Sequence, residues 1–592
     1  MLSFDLILVF IVIVFILISL YNDLLGPSIT FIIAIIVLGI FGILTPTEII
    51  SGFANEQVAV VIMLLLLGDI IRKTEVIENT FDRIFRKAKN YKGFLSRMML
   101  IVSSFSAFLN NTPLVAVMMP YVHNWCKRNK ISPSKFLIPL SFAAILGGQV
   151  TLIGTSTNLI VNGMVVEQTI APELRSLQMF DFLWVGIPMV IIGYLYLMLV
   201  GERILPSKAP IDERFTVSTR QYIIEAKVRN NSHLIGKTID EAGLKGLKGL
   251  YLVEILRRSF RVSPVASDII IERGDVLLFA GETDDIAELI GSNSGLVLPQ
   301  VGMMSKLRRT EVVEIIVSQN SSLINKQVKD INFRGKYDAT IIAVHRNGES
   351  IESKIGNIEL KAGDVLLLFA GEDFNSRTAD SRDFYFMSKI KHYTKLEWWK
   401  TATLLGGLFL AIMLSAFHAV SLFMALIILL LITMAMKITN PKELPASIDY
   451  NLAMIIVMSL ALGTAMIKSG AAVLIANFLI NIFMPLGKTG LLFGIYFITT
   501  ILAAYITNKA AVGIIFPIAI TVAHNLEINP LPFVLTVAYA AAANFMTPIG
   551  YQTNLMVYGP GGYSFKDFFR IGFPLTIIYM IVTVLILSVV YF

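Results

Sequence analysis

Long apolar runs dominate the sequence and restrict it to a membrane environment. The 592-residue chain is 55% hydrophobic and only 15% charged, with a mean hydropathy of +0.72, whereas a soluble domain carries about 25% charged residues. A helix that crosses a bilayer needs about 20 mostly apolar residues. Runs of this kind predict spans near Phe4–Leu20, Pro27–Leu44, Gln57–Ile71, Lys135–Met164, Phe182–Ile204, Thr401–Phe417, Val420–Met436, Asn451–Ile467, Pro532–Val557 and Phe568–Phe592. The net charge of +7 fits basic loops beside a membrane, so nucleic acid is not an expected partner.

A polar block separates the two apolar regions and contains an internal repeat. The stretch "ERGDVLLFAGETDD" (Glu272–Asp285) matches "KAGDVLLLFAGEDF" (Lys361–Phe374), and "HLIGKTIDEAGLKG" (His233–Gly246) matches "SLINKQVKDINFRG" (Ser322–Gly335). Both matches have an offset of 89 residues, which predicts a tandem of two small α/β domains, over residues 206–297 and 298–395. These motifs resemble the TrkA-C (RCK-C) ligand-binding domain of Trk-type potassium-uptake regulators. A GxGxxG motif after a strand is missing, so NAD is not expected.

Two further apolar runs are interrupted by polar residues at their middle. "LNNTPLVAVMMP" lies in the run Phe94–Trp125, and "ITNKAAVGIIFP" lies in the run Leu491–Ala523. If either run crossed the membrane once, its amide side chains would be unpaired in hydrocarbon. Each run is therefore predicted to be a re-entrant hairpin with its tip near the middle of the membrane.

These hairpins belong to a larger repeat between the two apolar regions. "TLIGTSTNLIVNG" (Thr151–Gly163) corresponds to "TPIGYQTNLMVYG" (Thr547–Gly559), and "DFLWVGIP" corresponds to "DFFRIGFP" further along. Each half then has five spans and one hairpin, and an odd number of crossings inverts one half relative to the other. The predicted fold class is a polytopic α-helical membrane protein, with an inverted repeat over residues 1–205 and 396–592 and the α/β tandem between them.

Charge sets the predicted orientation. The linker Arg72–Arg97 contains eight basic and three acidic residues, whereas its counterpart Ser469–Leu486 is uncharged. By the positive-inside rule the first linker is cytoplasmic. The first hairpin then enters from the cytoplasm, the second enters from outside, the polar block is cytoplasmic and both chain termini are external. A linker helix over Ile77–Lys89 is expected to lie flat on the cell membrane.

Inverted repeats with broken helices form binding sites near the membrane midplane in secondary transporters. Breaks at Gly154 and Gly550 offer helix N-termini to an anion and free carbonyls to a cation. Asn suits such a tip because its amide both donates and accepts hydrogen bonds. The alternative is that these polar residues only hold helices together.

The paired hairpins resemble the divalent anion:sodium symporter (DASS) family of the ion transporter superfamily, which carries a Ser-Asn-Thr signature at each tip. The first signature here is Asn110-Asn111-Thr112, and the second is Thr507-Asn508-Lys509. The resemblance implies one anion, flanking sodium ions and a homodimer, with no other cofactor. It implies anion contacts at Asn110, Asn111, Thr112, Thr157, Asn158, Thr507, Asn508, Lys509, Thr553 and Asn554, and cation contacts at Ser106, Asn110, Asn111, Gly154, Thr507, Asn508 and Gly550.

Two positions depart from this pattern. Ala503 stands where the first half has the hydroxyl of Ser106, and Lys509 replaces the signature Thr. A lysine near the bilayer centre costs at least about 2.5–3.5 kcal/mol and needs a partner. Lys509 is a candidate to replace a second cation, to contact the anion, or to carry a proton; the alternative is that it extends to the external surface.

The expected function is secondary active transport of a small divalent anion by alternating access, with sulfate first and a dicarboxylate second. An oxyanion efflux carrier and a sodium/proton antiporter of the same superfamily are alternatives. An ion channel gated by the RCK-like domains is an alternative of another class, although a TVGYG filter is missing. An enzyme is not expected, since HExxH, GxSxG and P-loop motifs are missing. The tandem domains are expected to regulate transport through a small cytoplasmic ligand, or to serve only in dimerisation. The anion, the coupling ion and the direction of transport stay open.

Overall fold

The computed structural model describes most of the chain. The described residues are 3–22, 24–72, 85, 90–208, 223–244, 250–257, 260–262, 265, 268–281, 296–297, 311–319, 321–346, 349–351, 355–371, 373–378, 381, 383–386, 397–417, 419–441, 444 and 448–592. The linker helix predicted over Ile77–Lys89 lies outside these residues except for Phe85.

Capping residues and prolines mark where helices of the first membrane region begin. Ser3 caps the first helix by accepting a hydrogen bond from the Leu6 amide at 3.2 Å, and Pro27 occupies the first position of the second helix. The helices are Phe4–Tyr21, Pro27–Ile40, Pro46–Ser51, Glu56–Arg72, Tyr91–Ser106, Asn111–Asn129, Leu137–Gly148, Ser156–Glu167, Leu183–Tyr196 and Glu202–Ile204.

The second membrane region has a similar order of helices. Its helices are Trp398–Ala416, Leu422–Ala435, Tyr450–Lys468, Ala471–Phe483, Gly487–Tyr505, Asn508–Asn525, Leu531–Ala542, Gln552–Tyr558 and Phe565–Tyr591. The helix Ala471–Phe483 lies in the uncharged stretch Ser469–Leu486, for which the sequence predicts a linker. It starts after Gly470, whose φ of +78° is readily adopted by glycine.

Helix length separates complete spans from shorter pieces. In the described part of the chain, six helices are long and apolar enough to cross a membrane, or seven if the bent pair Pro46–Ala54 and Glu56–Ile71 is one span. Other apolar helices are shorter, and the 14 residues of Pro27–Ile40 rise about 21 Å, against a hydrocarbon core of about 30 Å. The chain is a polytopic helical membrane protein, and length alone identifies fewer spans than the ten predicted from hydropathy.

The polar block folds into two five-stranded antiparallel sheets with the same strand order. The first sheet, order β3-β2-β4-β1-β5, contains β1 (Ile223–Val228), β2 (Leu250–Arg257), β3 (Phe260–Val262), β4 (Val276–Gly281) and β5 (Leu296–Val297). The second sheet, order β10-β6-β9-β7-β8, contains β6 (Glu311–Val317), β7 (Ala339–Arg346), β8 (Glu349–Ser350), β9 (Val365–Ala370) and β10 (Phe384–Phe386). We refer to the two units as the first and the second β domain.

Even an irregularity is shared by the two sheets. The β2–β4 register shifts between Leu252 and Glu254, and the β7–β9 register shifts between Ile341 and Ala343, which are 89 residues further on. The described α-helices of this block, Phe333–Tyr337 and Phe374–Thr378, have five residues each, and its described 3₁₀ helices, Val328–Asp330 and Ile355–Asn357, have three. The described part of the block is therefore mainly β, with less helix than the predicted α/β tandem.

Side chains on the two faces of β9 meet different neighbours. Leu366 and Leu368 point into the core of this domain. Leu367 packs against Val276 and Leu278 of the first β domain. Val365 instead belongs to the large apolar cluster of the membrane helices. The second β domain therefore contacts both the first β domain and the membrane region.

Candidate functional site

The two predicted hairpins each consist of two helices joined by a short polar tip. The first turns between Ser106 and Asn111, and the second turns between Tyr505 and Asn508. Asn110 caps its own helix by accepting from the Thr112 amide at 3.4 Å, and Thr507 caps the equivalent helix by accepting from the Ala510 amide at 3.2 Å. These two tip side chains therefore satisfy helix N-termini.

The side chain of Asn111 is buried at the centre of a polar cluster. One end of its amide lies 2.5 Å from Ser106 Oγ, 3.2 Å from the Ala144 carbonyl oxygen and 3.3 Å from the Gly154 carbonyl oxygen. Because carbonyls only accept, this end is the NH₂ group, and the amide oxygen accepts from Tyr551 OH at 2.6 Å. Three oxygens from the hairpin and the broken helix thus converge on one point.

A break between two helices supplies the Gly154 carbonyl, and the second half has an equivalent break. One helix ends at Gly148 and the next begins at Ser156, so Gly154 lies in the break. The second break lies between Ala542 and Gln552 and contains Gly550. The sequence placed both breaks correctly.

Each break is attached to its hairpin by the same hydrogen bond. Thr151 donates to the Ala107 carbonyl, and Thr547 donates to the Ala504 carbonyl at 3.3 Å. The paired residues are 396 or 397 positions apart in the sequence. Equal contacts at equal positions give the two halves the same connection between hairpin and break.

The Asn in each break also closes its own loop. Asn158 donates from Nδ2 to the Thr151 carbonyl at 3.0 Å, and Asn554 donates to the Thr547 carbonyl at 3.1 Å. Asn158 is fully buried, and its Oδ1 has no hydrogen-bond partner among the described residues. A buried acceptor without a donor carries a desolvation cost of about 1–3 kcal/mol, which a ligand or water that donates a hydrogen bond would remove.

Contacts across the two halves join the first hairpin to the second break. Tyr551 OH approaches both Asn111 and Thr155, the latter at 3.2 Å. Thr112 Oγ1 donates to Gln552 Oε1 at 3.1 Å. The candidate site therefore includes residues from both halves.

A second set of contacts across the halves involves the broken helices themselves. Ser141 lies 2.8 Å from Thr553 Oγ1 and 2.7 Å from Asn554 Oδ1. Thr157, another predicted contact, is buried in its helix. The structure thus brings Asn111, Thr112, Thr553 and Asn554 into contacts that cross the halves.

The second hairpin has a different arrangement around its Asn. Asn508 is buried, and its Oδ1 has no hydrogen-bond partner among the described residues. The amide of Asn544 lies against Gly550, where an added Cβ would be 1.8 Å from Nδ2. Asn544 donates to the Ala503 carbonyl at 2.9 Å and accepts from Thr547 Oγ1 at 3.2 Å. Asn544 therefore takes the position beside the break glycine that Asn111 takes in the first half.

Lys509 is partly buried at the start of the helix after the second tip. Asp449 is close enough to attract it electrostatically, and it caps the helix Tyr450–Lys468. The other end of that helix carries Lys468, which pairs with Glu48 at 2.9 Å. Asp449 therefore lies at the end of this helix opposite the Glu48–Lys468 pair.

Two further features concern what can bind near the tips. A cavity of about 20 Å³, lined by Asn110, Ser156 and apolar side chains, lies beside the first tip and has room for about one water. Within the described ranges, no group of three or more His, Cys, Asp or Glu could hold a metal ion.

Asn544, Tyr551 and Gln552 are among the residues of this site that sequence reasoning missed. Each occupies a place where the two halves differ: their counterparts are Gly148, Thr155 and Ser156. The prediction followed the positions that match between the halves. Tyr551 and Gln552 lie within the matched motif TPIGYQTNLMVYG, so the differing positions of that motif were an available signal for these two residues, whereas Asn544 lies before the motif.

Comparison with known proteins agrees with a membrane transporter. A family model described as citrate transporter matches residues 8–434 and 409–592. An uncharacterized transporter, sll0640, of Synechocystis sp. is 32% identical over 98% of this chain and 96% of its own length. A putative sulfur deprivation response regulator of Chlamydomonas reinhardtii is 32% identical over 92% of this chain and 94% of its length. Sodium/sulfate cotransporter 1 of the same alga is 24% identical over 95% of this chain and 87% of its length.

Apolar helices and these matches define a multi-pass membrane transporter of the ion transporter superfamily, rather than an enzyme. The chain belongs to the citrate transporter family, CitMHS. The predicted resemblance to anion:sodium symporters is confirmed at the level of the superfamily.

Proposed function

We propose that this protein is a cation-coupled secondary transporter of a small divalent anion, with sulfate as the first candidate. The observation that carries the proposal is the contact between the first hairpin and the second break, through Asn111 and Tyr551 and through Thr112 and Gln552. A site shared by two repeats can be opened from either side when one part moves, which alternating access requires.

The first half supplies the proposed cation site. Oxygens of Ser106, Ala144 and Gly154 converge on the Asn111 amide, and neutral oxygens from broken helices are typical sodium ligands in transporters. The names of three algal relatives, sodium/sulfate cotransporters 1 to 3, support sodium as the coupling ion.

In the second half we propose that Lys509 supplies the positive charge that a second cation would supply. Ala503 has no hydroxyl where the first half has Ser106, so the second half offers one oxygen fewer to a cation. Attraction by Asp449 supports this role over extension of Lys509 to the external surface, because Asp449 caps the opposite end of its helix.

The anion is proposed to bind between the two tips, at Asn110, Asn111, Thr112, Thr507, Asn508 and Lys509, together with Thr157, Asn158, Thr553 and Asn554. The Oδ1 atoms of Asn158 and Asn508 have no hydrogen-bond partner among the described residues, which supports the binding of a polar ligand in each half. Sulfate accepts hydrogen bonds only, so these oxygens would face the cation, water or a protonated ligand group, while amide and hydroxyl donors face the anion.

Citrate or a dicarboxylate is the second candidate, because the family model is described as a citrate transporter. No arginine occupies a signature position to bind a carboxylate with two parallel hydrogen bonds. The compact donors Thr, Asn and Lys favour sulfate over the larger carboxylates.

The proposed topology is two inverted repeats, with the β domains and the first hairpin on the cytoplasmic side and both termini external. Residues 206–297 and 298–395 are proposed as regulatory TrkA-C-like domains, and the assembly as a homodimer. The basic linker Arg72–Arg97 supports this orientation.

Uptake into proteoliposomes tests the function. Purified protein is reconstituted, and labelled sulfate, succinate and citrate are supplied while sodium and proton gradients are varied separately. We expect saturable sulfate uptake that requires an inward sodium gradient. An Asn111→Leu protein of unchanged yield and monodispersity is the matched inactive control.

Uptake of citrate without sulfate would replace the first candidate with the second. Equal leakage of all three anions in the wild-type and Asn111→Leu proteins would contradict the transporter site itself.

A further inference from the structure

Three neighbouring strands of the second β domain present a row of side chains to the membrane region. Tyr385 on β10 is paired with Ile316 on β6, and Ile316 is paired with Val365 on β9. Ile316 and Val365 are fully buried in the apolar cluster of the membrane helices, and Tyr385 packs against the same cluster. We call these three residues the docking row.

The docking row reaches the transport site through one amide. Gln552 Nε2 donates to Tyr385 OH at 2.9 Å, while Gln552 Oε1 accepts from Thr112 Oγ1 at 3.1 Å. Gln552 begins the helix after the second break. Both hydrogen-bonding ends of its side chain are therefore used, one on the tip of the first hairpin and one on the second β domain.

The turn before β9 packs on the same helix. A Cβ added to Gly363 would lie 2.9 Å from Leu555 Cδ1, and one added to Gly559 would lie 2.8 Å from the Gly363 carbonyl oxygen. Gly363 has a φ of +85°, so this turn is shaped by a residue that adopts such a conformation easily and leaves room for Leu555. Contact with the helix is therefore close along its length.

Strand β10 is held firmly enough to position Tyr385. Asp383, just before the strand, accepts hydrogen bonds from Tyr337 OH, from Ser321 Oγ at 3.0 Å and from the Ser322 amide at 2.6 Å. Burial raises the pKa of Asp383, but hydrogen bonds from Tyr337 and Ser322 outweigh it and bring the pKa to about 2. The anchoring carboxylate stays charged at any physiological pH.

Two of the three positions of this row differ in the described part of the first β domain, although its sheet is equivalent. Lys227 stands at the position of Ile316 in the strand register and is exposed. Val276, the counterpart of Val365, packs against the second β domain instead. The apolar docking row is therefore a property of the second β domain and does not follow from the sheet alone.

We propose that the second β domain is a latch on the cytoplasmic side of the transport site, holding the first hairpin tip against the second break. This inference rests on the proposed function and orientation for its effect on transport. Tyr385 and the turn at Gly363 hold the helix that starts at Gln552, and Gln552 holds Thr112 of the tip. These parts cannot move away from the second β domain while it is docked, so the latch must release before they move to exchange anion and cation with the cytoplasm. A ligand of the β domains could regulate transport by binding docked and released states differently.

Cysteine labelling measures release without any substrate. In the full-length Cys126→Ala protein, Leu555→Cys places a thiol beneath the Gly363 turn, and a charged maleimide reports its exposure. Ile316→Lys copies the residue that the first β domain carries at this position, so the sheet accommodates it. We expect labelling to become at least about tenfold faster, because docking would bury the new charge. Tyr385→Phe removes one hydrogen bond, and labelling is expected to become about fivefold faster.

Lys227→Gln is the matched control, because its exposed position lies in the equivalent sheet; its labelling rate should equal that of the parent. The same substitutions in the parent carrying Leu555 are then compared for initial sulfate uptake, which should rise in Ile316→Lys and Tyr385→Phe. Unchanged labelling in both, or faster labelling with slower uptake, would overturn the latch. Faster labelling with no anion uptake in any protein, parent included, would support release of the domain and remove the proposed function alone.

Discussion

The first and second hairpins have the same connection to their broken helices but different polar centres. Thr151 and Thr547 make the same hydrogen bond to the end of each hairpin's first helix. In the first half, Asn111 lies among oxygens of Ser106, Ala144 and Gly154. In the second half, the oxygens near Gly550 are met by Asn544 instead, and Lys509 follows the tip. The two halves share this connection but differ in the residues around the tip, since Lys509 stands where the first half has Thr112.

The largest effect is expected from the central amides. Asn111→Leu leaves the partners of the buried amide unpaired, at about 1–3 kcal/mol each, so sulfate uptake should fall about a hundredfold or more. Asn508→Leu removes an amide whose Oδ1 has no described partner, and uptake should fall only about tenfold. Initial rates at matched protein density measure both. An equal loss in the two variants would contradict the asymmetry.

Lys509 provides the next largest test. Lys509→Thr restores the signature residue and removes the fixed charge, so uptake at low sodium should fall about tenfold and recover at high sodium. The control is Lys468→Thr, which removes a lysine paired with Glu48 at the far end of a helix and should leave the sodium dependence unchanged. If Lys509→Thr alters neither the ion requirement nor the anion affinity, Lys509 neither replaces a cation nor contacts the anion.

A smaller effect is expected at the hydroxyl that distinguishes the halves. Ser106→Ala removes one oxygen near Asn111, and the sodium concentration for half-maximal uptake should rise about fivefold. The reverse change, Ala503→Ser with Asn544→Gly, rebuilds the arrangement of the first half in the second. The rebuilt protein should show a steeper sodium dependence than its parent, as read from the Hill slope. A Ser106→Ala protein with unaltered sodium affinity would rule out the first-half cation site.

The smallest effect tests what the halves share. Thr151→Val deletes the hydrogen bond to the Ala107 carbonyl without changing side-chain volume greatly, so it should lower stability by about 1 kcal/mol. Thr547→Val also deletes the contacts of Thr547 Oγ1 with Asn544 Oδ1 and the Gly550 amide, so its loss should be larger. Thermal unfolding in detergent should show both shifts, the larger one for Thr547→Val. A shift in only one of them would indicate that the common scaffold is not equally important on both sides.

Much of the helical framework could be predicted because its signals are local. Apolar length located the membrane helices, and polar residues within apolar runs located both tips and both breaks, since an unpaired amide in hydrocarbon is costly. The helices Asn111–Asn129 and Asn508–Asn525 begin where they do because N-cap residues stand at the tips. The roles of Asn544, Tyr551 and Gln552 could not be predicted in this way, because their partners are distant in the chain and only packing brings them together.

The 89-residue repeat by itself determined that the polar block contains two similar units, because strands and turns with the same pattern form the same sheet. Only the tertiary structure decided that the second unit contacts the membrane region while the first contacts its neighbour. Lys227 and Ile316 occupy the same strand position in the two sheets. Whether that position is exposed or docks on the membrane helices depends on which surface lies opposite it. An apolar side chain is stable where it is buried and a charged one where it is exposed. Which of the two surroundings a strand position meets depends on how the domains pack, and the sequence alone does not specify that packing.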